Sequence, residues 1–144
     1  MQKYFREYVL GDAYQHDYKS LFACVQKFEK DLFLMDFEFL GKQGSDFNFV
    51  EYEKLVLKNE LGLHLDWSIW HKIIADTVQV INLLIVAPLS NESNVSCENL
   101  KETSSFFIEC VDGYNWSVFT YNSNFFDEMN AYFVGRSKGD RYSL

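Results

Sequence analysis

The sequence predicts an α+β fold: one small domain, residues 1–144, in which amphipathic helices pack with a short antiparallel sheet. That sheet includes a C-terminal hairpin followed by a helix. Hydrophobic residues switch from three- and four-residue steps over 12–32 to a two-residue period over 33–40, so both periods are present. A chain of 144 residues suits a single core, and a 48% hydrophobic, 18% aromatic composition supplies one. One Pro and 7 Gly leave few chain breakers, so most residues belong in regular elements.

The first predicted helix runs from Asp12 to Leu32. Tyr14, Tyr18, Leu21, Phe22, Val25, Phe28 and Leu32 form its apolar stripe, with Asp12 as cap. Phe33, Met35, Phe37 and Phe39 then alternate with Leu34, Asp36, Glu38 and Leu40, as a strand requires, and residues 41–44 read as a turn. Residues 46–59 fit either a strand through Phe47 and Phe49 or a helix capped by Ser45. The helix formers of EYEKLVLKNE favour the helix.

Asp66 opens a further helix whose face carries Trp67, Trp70, Ile73, Ile74 and Thr77, extending to about residue 80. Residues 81–87 are a buried strand or the continuation of that helix, because so short an apolar run has no telling period. Residues 90–105 are polar and read as a surface loop. Segments 106–111 and 116–121 read as two strands around the Asp112-Gly113 turn signal. Ser123 is the expected cap of a last helix, with Asp127 and Glu128 in its first turns and Gly135 at its end. A loose tail, 136–144, follows.

The net charge of −8 argues against nucleic acid as a partner, since that surface needs a basic footprint. Acidity serves solubility, and it also suits a basic protein partner. Cys24, Cys97 and Cys110 are odd in number and lack a CxxC spacing, which fits reduced thiols in a cytoplasmic protein. The N-terminal stretch is too polar for a signal peptide, and the apolar run 73–89 is interrupted by Asp76, Gln79 and Asn82. No membrane association is expected.

Catalytic apparatus is not recognisable. His64 and His71 lie seven apart without a third ligand at a useful interval, and His16 sits on a charged helix edge. Cys24 and Cys110 fall on apolar faces, whereas Cys97 lies in the polar loop without a base beside it. The acid pairs Asp36–Glu38, Glu51–Glu53, Glu109–Asp112 and Asp127–Glu128 are what 21 acids produce by number. Phosphate-binding glycine loops and nucleophile elbows are missing. The expectation is a non-enzyme without cofactor or metal.

One segment carries a resemblance. FFIECVDGYNWSVFTYNSNFFDEMNAYF, residues 106–133, joins an acid-bearing strand, an Asp-led turn, a Trp-bearing strand and a capped amphipathic helix. Its carrying residues are Glu109, Asp112, Tyr114, Trp116, Phe126 and Phe133. This segment resembles the C-terminal part of bacterial immunity proteins from polymorphic-toxin and contact-dependent growth-inhibition systems. The resemblance implies a cytoplasmic inhibitor that binds a cognate toxin domain, often a basic nuclease. On that reading Glu109, Asp112, Tyr114 and Trp116 are the candidate partner-binding residues. Two other readings stand beside it: a phage or mobile-element accessory protein that binds a host factor, and a small ligand-binding or enzymatic domain with an aromatic-lined pocket.

Overall fold

A computed structural model of the chain describes residues 2–10, 17–28, 31–90 and 95–134. Eleven elements follow in order among these residues: β1 (Tyr4–Val9), α1 (Tyr18–Gln26), β2 (Phe33–Gly41), α2 (Phe49–Lys58), β3 (Leu63–His64), α3 (Trp67–Asp76), β4 (Thr77–Pro88), α4 (Leu100–Thr103), β5 (Ser104–Val111), β6 (Asn115–Thr120) and α5 (Ser123–Val134). The strands form one six-stranded antiparallel sheet in the order β1-β6-β5-β4-β2-β3. The fold is therefore α+β, and its C-terminal part is the expected hairpin followed by a helix. Helix and strand occupy near-equal shares of the described residues.

Helices α1, α2, α3 and α5 cover one face of the sheet. Alternate strand residues point into this layer and build the main core, including Tyr8, Leu34, Phe37, Val80, Leu83, Phe106, Ile108, Trp116 and Val118. Phe22, Val25, Val56, Trp70, Ile73, Met129 and Phe133 meet them from the helices. Rings dominate the contacts: Phe37 stacks on Phe39 with centroids 4.2 Å apart, and Tyr8 on Phe133 at 4.5 Å. Such pairs add about 0.5–1.5 kcal/mol each beyond the area they bury. Gly41 lies directly under the Phe49 ring, so a Cβ there would push that ring aside.

Among the described residues, the opposite face is covered only at one end. There a smaller cluster of Leu84, Val86, Phe107 and Phe119 is joined by Phe5, Phe33, Met35 and Tyr121, with Val95 and Leu100 laid over it.

Several element boundaries differ from the sequence reading. Helix α1 begins at Tyr18 with Asp17 as cap, its Oδ1 accepting from Ser20 N–H at 3.1 Å. Asp12, Tyr14 and His16 lie outside the described residues, as do Asn91–Asn94, Gly135 and the 136–144 tail. Within 46–59 the helix alternative holds, as α2 over Phe49–Lys58, capped by Asn48, whose Oδ1 accepts from Glu51 N–H at 3.0 Å. Ser45 instead donates to Asp76 Oδ2 at 2.6 Å.

That contact helps explain why α3 stops at Asp76 and not near residue 80. The Asp76 carbonyl accepts from Lys42 N–H at 2.7 Å, and Thr77 is already extended. The β-branched Thr77, Val78, Val80 and Ile81 then favour the strand that runs to Pro88. Residues 81–87 are thus strand. The 90–105 stretch is not all loop: it contains α4, and β5 starts at Ser104.

For α5, Asn122 is the cap in place of Ser123, its Oδ1 accepting from Phe125 N–H at 3.0 Å. Asp127 and Glu128 consequently fall beyond the first turn. Strand β1 was not foreseen at all; it pairs with β6 along its full length.

Candidate functional site

On the open face, strand pairing lines up residues that are far apart in sequence. Asp36 pairs with Leu84, Leu84 with Glu109, Glu109 with Ser117, and Ser117 with Glu7. Cross-strand partners share a face, so Asp36, Glu109 and Glu7 form one row of carboxylates across five strands. Glu38 lies in the next row, opposite Asn82, which donates through Nδ2 to Glu38 Oε1 at 2.7 Å.

Each carboxylate is there for a local reason. Asp36 and Glu38 alternate with the core residues Phe37 and Phe39 of β2, and Glu109 sits between Ile108 and Cys110 of β5. Alternation puts the apolar neighbours under the helices and the acids on the bare side. Burial against the sheet raises the Asp36 carboxyl pKa above its ordinary value, and Glu38 adds to the effect. The Glu109 pKa is raised by the same partial burial and by the charge of Asp36. Two half-buried carboxylates thus oppose each other's ionisation across β4.

Next to this row a groove of about 410 Å³ opens between the sheet and the 97–102 segment. Its floor is Phe5 and Phe107, and its acids are Glu7, Glu98, Glu102 and Glu109. Among the described residues the one basic lining residue is Lys101, whose Nζ lies 3.5 Å from the Phe5 ring centroid. An ammonium over a ring face is a cation–π contact. The groove already holds one cation of the chain in that way, with further carboxylates around it. It can accept lysine or arginine side chains from outside by the same combination of ring face and carboxylate.

The four residues singled out from sequence are separated by the structure. Glu109 is in the acidic row. Asp112 and Tyr114 belong to the 112–114 turn, with Asp112 at φ 56° and Tyr114 41% exposed. Trp116 is 1% exposed and faces the other way, into the helix layer, its ring centroid 5.5 Å from that of Phe133. It therefore belongs to the core and offers nothing to a partner.

The turn is tied down as well. Gly113 N–H donates to the Ile81 carbonyl at 2.8 Å and Asp112 N–H to Asn82 Oδ1 at 3.1 Å. These bonds sit where the β2–β4 register shifts between Glu38 and Phe39, and Val80 N–H there donates to the Tyr18 hydroxyl at 3.0 Å. A side chain at Gly113 would meet Gln79 Nε2 at 2.9 Å, and its φ of 79° favours glycine.

Glu7, Asp36 and Glu38 were missed as a group. Asp36–Glu38 was visible as an i, i+2 pair, but its connection to Glu109 and Glu7 depends on a strand order that no local pattern encodes. His64 and His71 are not on one helix face: His64 lies in β3, its Nε2 3.2 Å from Asp31 Oδ1, and His71 lies on α3. Among the described residues no group of three or more His, Cys, Asp or Glu is placed to hold a metal ion. No helix among them is long and apolar enough to cross a membrane. Cys97 is exposed in the groove, Cys110 is buried and Cys24 is half-buried beside Glu128.

Comparison with protein-family models, with characterised proteins and with solved structures finds no match for this chain.

Proposed function

We propose that the protein is an acidic, cytoplasmic protein-binding inhibitor of the immunity-protein kind, which neutralises a cognate toxin domain by capturing its cationic surface. The observation that carries this reading is the row Glu7–Glu109–Asp36 with Glu38, together with the aromatic-floored acidic groove beside it. The half-buried Asp36 and Glu109, which repel one another, gain from an incoming guanidinium or ammonium more than isolated surface acids do, because the partner relieves the repulsion as it pairs, and the exposed Glu7 extends the row. The chain's charge of −8 adds steering toward a basic partner at long range. Glu109 lies in the middle of this row, and Asp112 of the hairpin turn, bonded to Asn82, borders it.

The test is coexpression with the products of flanking genes. The reading predicts that a basic domain copurifies, that its toxicity is relieved, and that a Glu7→Lys/Glu109→Lys variant loses both effects while remaining folded. Capture and relief that survive this reversal would refute the assignment of the surface.

A further inference from the structure

The helix-covered side of the molecule carries a second, chemically different concavity. Lys19, Phe22 and Ala23 of α1 and Trp67, Trp70, His71 and Ile74 of α3 stand at helical spacing on facing sides of a cleft of about 270 Å³. Phe22 and Trp70 are buried at its floor, edge to face with ring centroids 5.1 Å apart. Trp67 and Ile74 are half-buried walls, and Lys19, Ala23 and His71 are exposed at the rim. The small side chain of Ala23 keeps the mouth open.

Charge sets this cleft apart. In a chain of net charge −8, no carboxylate lines it among the described residues; its only ionisable groups are Lys19 and His71. Lys19 has no ion-pair partner among the described residues, and His71 contacts the Trp67 ring at 6.3 Å between centroids. The Trp70 Nε1–H at the floor is buried and has no hydrogen-bond partner among the described residues. A cleft of about 270 Å³ has room for one ring with a short side chain. Apolar, aromatic walls with one or two convergent polar groups are the usual makeup of a small-molecule site.

We propose that this cleft binds a small aromatic carboxylate. Its ring packs against Trp67, Trp70 and Phe22, and its carboxylate pairs with the Lys19 ammonium, with the His71 ring as a second polar contact. The site is independent of the acidic sheet face, which lies on the other side of the sheet.

The experiment titrates the full chain with phenylacetate, its neutral amide phenylacetamide and its cationic counterpart phenethylamine, following the tryptophan indole N–H resonances by NMR. Phenylacetate is expected to shift the Trp67 and Trp70 signals and to bind about fivefold more tightly than the amide, with the amine weakest, as one partly exposed charge contact allows. Lys19→Met should remove the advantage of the carboxylate over the amide while leaving amide binding unchanged. Ala23→Trp should block both ligands, and Ala23→Leu provides the same block with less bulk if the larger residue impairs folding. The proposal is overturned if phenethylamine binds as well as phenylacetate, if Lys19→Met weakens acid and amide equally, or if no probe perturbs the two signals at about 10 mM, where a fragment of this size should register.

Discussion

Neutralising Glu109 should stabilise the protein, against the usual direction of point substitutions. Glu109 is the middle carboxylate of its row, with Asp36 two strands away on one side and Glu7 two strands away on the other. At ~4.8 Å between strands each pair is separated by about 10 Å. Two unit charges at that distance repel by about 0.4 kcal/mol at the dielectric of water and about 1.7 kcal/mol at an effective value near 20. Asp36 and Glu109 are half-exposed, which pulls the figure toward the lower end. Glu109→Gln should therefore raise unfolding free energy by about 0.5–1 kcal/mol at neutral pH and about 0.01 M ionic strength, where screening is weak.

The pH dependence follows from the raised carboxyl pKa values of Asp36 and Glu109. Between their ordinary unfolded values and the raised folded ones, the native state holds more protons than the unfolded state. Wild-type stability from this pair thus falls as pH climbs through that window, and the penalty persists at neutral pH. Urea melts at several pH values measure it directly. The gain in Glu109→Gln should shrink on acidification and in high salt, and the double variant with Asp36→Asn should gain less than the two single changes added together. A Glu109→Gln protein that is less stable than wild type, or whose stability difference ignores both salt and pH, would refute the reasoning.

Thiol reactivity should rank by exposure and charge: burial and Glu128 push Cys24 up to about 11, burial pushes Cys110 up to about 12, and Cys97 is exposed. Disulfide-exchange labelling of the native protein at mildly alkaline pH should modify Cys97 at least about tenfold faster than the other two. Helix caps should respond at the residues whose side chains accept the bonds: Asn122→Ala, Asn48→Ala and Asp66→Ala each cost about 1 kcal/mol in a urea melt, and Ser123→Ala costs much less. Trp116→Ala should cost about 3–5 kcal/mol, as loss of a fully buried ring does. Tyr114→Ala at the exposed turn should stay within about 0.5 kcal/mol in the same melts.

What could be read from the sequence was what short-range chemistry determines. Phe33–Gly41 is a strand as its pattern suggests, but a register shift between Leu34 and Asp36 puts Phe33 and Met35 on the opposite face from Phe37 and Phe39; the hairpin is evident because Asp112-Gly113 supplies two positive-φ positions between β-rich runs. The end of α3 was illegible because tertiary contacts set it: Lys42 and Ser45 from the preceding loop bind Asp76. β1 escaped notice since its alternation, Tyr4 to Val9, is weak, with Arg6 on the core-facing side tied to Asn130 Oδ1 at 2.7 Å. The site suffered most from this. Glu109 could be picked out as an acid in a strand, but Trp116 faces the core, and the partners of Glu109 are fixed by strand order, with β1 and β2 brought to either side of the β4–β5–β6 centre.

The central claim, that the open acidic sheet face is the binding surface for a basic partner, is tested most directly by association rate against ionic strength. Stopped-flow mixing of the copurified basic domain with wild type, with Glu7→Lys/Glu109→Lys and with Asp112→Lys supplies the comparison. The account predicts fast association for wild type that falls steeply with salt, at least about tenfold slower association for the sheet-face variant with a flattened salt dependence, and a smaller effect for the turn variant. Association of the sheet-face variant at the wild-type rate in low salt would contradict it.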